Sequence, residues 1–339
     1  MRLSKFKIQN SKFKKWSLLL ALFAIVTALA CVWSADVPLS DLWSPNAASR
    51  AVAEQIFREN RLPRVLAALL VGAALASSGA ALQAVFRNPL AEPYLLGISA
   101  GGALGATVAT ALDFPSWGGF HAAVLLAFVG ALMAALVVYK LGQPRAGSYV
   151  LGFDRSGLLL CGIALSSFFA ALMALVITLS SKPQLAQQAT FWLLGGMTRA
   201  YWPEIRVLAV TMALGMALLL MSARDVDALQ VGDEEAAGLG VDVARVHRRL
   251  LLAASLMSAA AVAAAGLIGF VGLLAPHIMR LSFGSGARRL FPAAAIGGAT
   301  LLVACDAVAH LALPPIEIPV GVITSLLGVP LFLWLTKKS

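Results

Sequence analysis

The sequence predicts an all-α membrane protein, a polytopic bundle of about ten transmembrane helices. Three observations predict it. Hydrophobic residues make up 60% of the chain and charged residues only 12%, against about 25% charged in soluble domains. The apolar residues fall in long runs, many reaching the roughly 20 residues that cross about 30 Å of hydrocarbon. Small residues, Gly72, Gly79, Gly97, Gly101, Gly102 and Gly105 among them, recur inside those runs, as helices packed closely in lipid require.

The runs place spans at residues 16–35, 62–86, 93–112, 119–140, 149–180, 203–222, 246–268, 272–283, 290–312 and 317–336. The fifth is long and the eighth short. A short element at membrane depth is tolerated where protein buries it or a cavity borders it. Residues 1–15 form a basic segment ahead of the first span, with Lys5, Lys7, Lys12, Lys14 and Lys15. The segment imitates a signal peptide, and Ala28-Leu29-Ala30-Cys31 hints at a lipoprotein cleavage site. The many spans that follow favour an uncleaved first span.

Orientation follows from the basic residues. With the N-terminus in the cytoplasm and the spans alternating, cytoplasmic segments hold 19 of the 26 Lys and Arg, and outer segments seven. The positive-inside bias predicts a multi-pass membrane protein with both termini cytoplasmic. Residues 16–339 then form one transmembrane domain with a cytoplasmic segment at about 222–249. The net charge of +10 sits in short connectors and not on one soluble face, which argues against nucleic acid as a partner. Cys31, Cys161 and Cys305 lie in apolar stretches without metal-ligand spacing and read as small buried hydrophobes.

Within 222–249 the pattern predicts two short helices. One covers Asp225 to Gln230. Gly232 breaks it, and Asp233-Glu234-Glu235 suits the first turn of the second, since carboxylates favour helix N-termini. Gly238 and Gly240 end it. Composition leaves two readings open, a solvated loop or a docking element for a cytoplasmic partner. Arg61-Leu62-Pro63-Arg64 opens the second span against the positive-inside bias. Its arginines either snorkel to headgroups or meet acidic groups of an external partner.

Between the second and third spans, Asn88-Pro89 and Pro93 enforce a sharp break. Pro276-His277 lies in a Gly-rich stretch, where the lone histidine reads as a hydrogen-bonded structural residue. Asp306 lies inside the ninth span with His310 one turn on, on the same helix face. That pair either holds helices together or touches substrate. No Gly-x-x-x-x-Gly-Lys-Ser/Thr occurs, so no P-loop cradles ATP phosphates. No catalytic or metal-binding constellation stands out.

At these motifs the chain resembles the FecCD-type permeases, the membrane subunits of ATP-binding-cassette (ABC) importers for ferric siderophores, haem and cobalamin. The resemblance runs from about residue 60 to the C-terminus. It is carried by RLPRVLAALLVGAALASSGAALQAVFRNPLAEPYLLGISAGG (61–102), FWLLGGM (191–197), ALQVGDEEAAGLGV (228–241), GLIGFVGLLAPHIMR (266–280) and EIPVGVITSLLGVPLFLWL (317–335).

It implies a type II importer permease of ten spans, working as a homodimer with the path between the copies. Two cytoplasmic ATPase subunits, using ATP and Mg, would power it, and a periplasmic binding protein would deliver the cargo. No cofactor is implied for this chain itself. The coupling helices correspond to Ala228–Val241, with Ala228, Leu229, Gly232, Asp233, Glu234, Glu235, Ala236, Gly238, Leu239 and Gly240 as contact residues. Arg61 and Arg64 correspond to the outer arginines that meet acidic residues of the binding protein. His310 stands where the family commonly has Arg, so a third docking contact there would be weaker or pH-dependent. Asn88, Pro89, Gly97, Pro276, His277, Asp306 and Glu317 are candidates for structural or translocation roles.

Overall fold

Each apolar run folds as a helix in the computed structural model, which describes residues 2–32, 39–43, 45–143, 155–197, 200–313 and 316–336. The ends of the predicted first and fifth spans (33–35 and 149–154), with Arg145, Arg199, Lys337 and Lys338, lie outside the described residues. Fourteen α-helices follow in order: α1 (Arg2–Val32), α2 (Ala47–Ile56), α3 (Leu62–Phe86), α4 (Ile98–Ala111), α5 (Ala122–Leu141), α6 (Arg155–Leu179), α7 (Leu185–Leu194), α8 (Trp202–Met221), α9 (Ala223–Leu229), α10 (Asp233–Gly238), α11 (Val243–Ala265), α12 (Val271–Phe283), α13 (Ala287–Leu311) and α14 (Val320–Thr336). Among the described residues there is no sheet, only two isolated bridges.

The ten predicted spans all have counterparts. Seven helices are long and apolar enough to cross a membrane, and α4, α12 and α14 are shorter apolar helices. The third span is shorter than expected. It opens with a 3-10 turn over Pro93–Leu96 and a left-handed Gly97, leaving α4 only 14 residues, about 21 Å at 1.5 Å per residue. Glu317 lies before α14 and not inside it.

Two elements depart from the sequence reading. The helix of the second span begins far upstream, because α2 runs into α3 through a π-helical turn at Phe57–Arg61, giving a continuous helix over Ala47–Phe86. The segment between the fifth and sixth spans is not a plain connector but contains α7.

The core gathers around α3. Ala68, Val71, Ala74, Ala76, Ser77 and Leu82 have no exposed surface, and at about 100° per residue they lie on every side of the helix, so neighbours surround α3. Glycine makes this possible. A Cβ on Gly72 would collide with the Gly298 carbonyl of α13, and one on Gly79 with the Gly272 carbonyl of α12. Backbones approach this closely only where side chains are absent. α6 is the opposite case, with only Leu158 and Gly162 of its 25 residues buried.

Asn88 and Pro89 form the turn that reverses the chain after α3. Arg87 is left-handed (φ 48°), Asn88 N–H donates to the Gln83 carbonyl, and Asn88 Oδ1 accepts from Leu90 N–H at 2.9 Å. These bonds satisfy carbonyls and amides that the helix end leaves open. Pro276 is buried inside α12. The three cysteines are free thiols, and only Cys305 is fully buried.

Candidate functional site

Ion networks lie at opposite ends of α3. At its start, Pro63 follows the π turn and has no N–H to donate back to that turn, and Arg64 comes next. Arg64 grips Asp306 of α13 with two parallel bonds, Nε to Oδ2 at 2.9 Å and Nη2 to Oδ1 at 3.0 Å. Its third nitrogen, Nη1, donates to Glu317 Oε1 at 2.9 Å. His310 Nδ1 lies 2.9 Å from the same Glu317 oxygen.

The sequence spacing put Asp306 and His310 within reach of one another. The structure pairs each with a different partner, because the planar fork of Arg64 matches a carboxylate better than an imidazole can. Burial would raise the Glu317 carboxyl, but the charge and hydrogen bond of Arg64, with those of His310, outweigh it and hold Glu317 below the ordinary carboxylate range.

Arg61 does not stand beside Arg64 as an open contact. It is only 7% exposed, and its Nη1 lies 3.5 Å from the Cys31 carbonyl of α1. The π turn causes this, since its extra residue rotates the helix start and carries Arg61 toward α1. Two cavities flank the network. One of about 400 Å³ is bordered by Trp192, Gly195 and Met197, and one of about 340 Å³ by Glu59, Arg61, Tyr201 and His310. Arg64, Asp306 and Glu317 border both, so the ion cluster is the wall between them.

At the far end of α3 the charge ratio is reversed. Asp233, the first residue of α10, accepts from Arg87 Nη2 at 2.8 Å through Oδ1 and from Arg155 Nη2 at 2.6 Å through Oδ2. Arg155 also donates Nε–H to the Val85 carbonyl at 2.8 Å, one of the carbonyls left open by the last turn of α3. His247 Nε2 of α11 is 3.9 Å from Asp233 Oδ1.

The predicted helix pair in 222–249 is present as α9 and α10, with Gly238 as the last residue of α10 and Gly240 left-handed after it (φ 87°). The pair is anchored from behind. Asp227 Oδ1 accepts from Ala287 N–H at 2.7 Å, and Gln230 Nε2 donates to the Ser285 carbonyl at 3.0 Å. Leu229, Gly232 and Ala236 face inward, and Ala228 is half-buried. Glu234, Glu235, Gly238 and Gly240 face outward, with Val231 73% and Leu239 74% exposed.

Other candidates fall elsewhere. Gly97 approaches α6, with Ser166 and Gly162 nearest its missing Cβ. His277 is half-buried. Against expectation it makes no hydrogen bond among the described residues.

Sequence reasoning missed two acidic anchors, Glu92 and Glu204, and the pairing of a third, Asp233. Glu92 accepts from the Phe270 N–H at 2.6 Å, holding the left-handed start of α12. Glu204, in the first turn of α8, is buried and meets His121 Nδ1 at 3.2 Å, so Asp306 is not the only carboxylate enclosed in a span. Asp233 was read as a helix opener, while its arginine partners were counted only as charges that orient spans. The available signal was an arginine at each end of an otherwise uncharged helix.

Ten apolar helices, tied together by charge at both ends of a buried central helix, define a membrane permease. The chain belongs to the FecCD transport family, whose model matches residues 18–338. It is 38% identical over 324 residues to the hemin transport system permease protein HmuU of Yersinia pestis, covering 95% of this chain and 94% of that protein. It is 37% identical over 338 residues to the vitamin B12 import system permease protein BtuC of Vibrio cholerae, covering 98% of each. A solved structure described as an inward-facing conformation of a metal-chelate type ABC transporter superposes with a TM-score of 0.82 at 30% identity, covering 97% of this chain and all of that one.

Proposed function

We propose that this chain is the permease subunit of an ABC importer that carries a bulky metal chelate or corrinoid inward across the bacterial inner membrane. The relatives named for haem and vitamin B12 transport support that cargo class. The basic residues put the Asp233 end in the cytoplasm and the Arg64 end outside. A second copy of the chain packs against the apolar faces that α6 and α14 leave exposed, and the path runs between the copies. Two ATPase subunits, using ATP and Mg, dock at the Asp233 end. A periplasmic binding protein docks at the Arg64 end, against Arg64 and His310. Arg61 contributes there only if its side chain leaves its place beside α1.

The observation that carries the reading is the α9–α10 knob. Val231 and Leu239 are large, apolar and almost fully exposed, on a segment outside every apolar helix. Lipid cannot cover them there, so a protein does. A rear anchored by Asp227, Asp233 and Gln230 keeps the surface rigid enough to transmit force.

Reconstitution of the permease with its ATPase and binding protein in proteoliposomes tests this. ATP-dependent uptake of haem, cobalamin or a ferric siderophore is expected, one cargo dominating. Val231→Asp with Leu239→Asp should abolish ATPase association and uptake. Uptake that persists without any ATPase subunit would overturn the proposal in favour of an ion-gradient-driven transporter.

A further inference from the structure

We infer that Asp233 is a positioning residue that links the ATPase-docking knob to α6, so that displacement of α10 is passed to the cytoplasmic end of that helix. The inference rests on the function proposed above and adds the route by which the knob acts.

The geometry is specific. Both oxygens of one carboxylate are engaged, one by Arg87 at the end of α3 and one by Arg155, the first residue of α6. Asp233 itself opens α10. One side chain therefore joins the knob, the buried central helix and α6. Arg155 also holds the Val85 carbonyl, so the tie reaches the α3 backbone as well as its side chain.

α6 is built to respond. Its only buried residues, Leu158 and Gly162, lie in its first two turns. There Leu158 packs where a Gly142 side chain would stand, and Gly162 lies against the Leu95 carbonyl. Beyond Gly162 no residue of α6 is buried. A helix whose buried residues and charged tie share one end passes a pull on that end along its length, past α4 and toward the face that the second copy covers. Packed backbones around α3 and α11 instead move as units.

The charge count adds a second reason. Arg87 and Arg155 face the same carboxylate, and the Coulomb repulsion between them is held in check by Asp233. Removing that charge leaves two guanidinium groups opposed across the joint between α3 and α6. The tie and the spacing of α6 from α3 thus depend on one side chain.

The test uses the complete transporter in proteoliposomes and measures cargo taken up per ATP hydrolysed. Arg155→Gln should retain ATP hydrolysis within about twofold while uptake per ATP falls about tenfold, roughly 1.4 kcal/mol of lost coupling, and Asp233→Asn, within the docking segment itself, should lower uptake per ATP at least as far. Arg245→Gln breaks the exposed Arg245–Asp242 pair beside the knob, away from α6, and should leave the ratio unchanged. Where Asp233→Asn does not assemble, Arg155→Gln decides. Unchanged uptake per ATP in Arg155→Gln, or uptake and hydrolysis falling in parallel, overturns the inference. Absence of ATP-driven uptake in the unaltered transporter would instead overturn the proposed function.

Discussion

Arg64 and Arg87 stand near opposite ends of one buried helix, and their surroundings differ in kind. Arg64 is a single cation shared by two carboxylates, with His310 attached to the second. Asp233 is a single carboxylate shared by two arginines. Loss of either acid at the Arg64 end leaves the guanidinium a partner. Loss of Asp233 leaves two like charges facing each other. The first arrangement is a redundant anchor between α3, α13 and the approach to α14. The second is a joint that one change breaks.

Stability should separate them most clearly. Asp306→Ala removes the more enclosed pair, with 9% and 20% exposed side chains. Losing one partner of a buried pair costs roughly 3–5 kcal/mol, and the remaining Glu317 bond brings the expected loss down to about 2 kcal/mol. Asp233→Ala leaves arginines that water reaches, and about 1 kcal/mol is expected. Thermal unfolding in detergent measures both, and a larger fall for Asp233→Ala would show that repulsion between Arg87 and Arg155 outweighs the deeper burial of the Arg64–Asp306 pair. Combining Asp306→Ala with Glu317→Gln should cost more than the two singles together, since each acid covers for the other.

The acid side sharpens the anchor. The folded-state Glu317 carboxyl titrates below the ordinary carboxylate range. Its contribution is therefore complete above that range and is lost as pH falls through its lowered value. Glu317→Gln should lower stability at pH 7 by about 0.5 kcal/mol, a surface-pair magnitude suited to its partial exposure. The difference from the unaltered protein should shrink as the pH is brought toward 4.

The smallest effect is expected at His310. Its partner is Glu317, so the side chain at this position sets how strongly Glu317 is held from that side and how much of it Arg64 retains. Glu59, Arg61, Tyr201 and Asp306 border the same cavity and set the local field. His310→Arg supplies a longer, planar cation at the same place. Affinity for the binding protein should change about threefold in the variant, about 0.7 kcal/mol at this scale. No change would show that His310 serves only the anchor.

Much of this was legible beforehand. Each span was readable because lipid selects for uninterrupted apolar runs, a property of neighbouring residues. The helix pair at 223–238 was readable from Gly232 and the three acids behind it. The helix of residues 185–194 was hidden because ten residues are too few to read as a span. The π turn was hidden because nothing in Phe57–Arg61 distinguishes a five-residue bond pattern from an ordinary turn. It was that turn which took Arg61 out of the open mouth.

The sequence by itself determined the class of fold, the family, and some of the charged residues that matter, Arg64, Asp306 and Glu317 among them, since those follow from local composition and motif order. Only the tertiary structure decided who pairs with whom. Arg64 meets Asp306 across 242 positions, and Asp233 meets Arg87 across 146 and Arg155 across 78. Such pairings depend on how glycine faces let α3 approach α12 and α13, and on the rotation of each helix about its axis. A few degrees there choose between a partner and a vacancy, and no local pattern of residues records that angle.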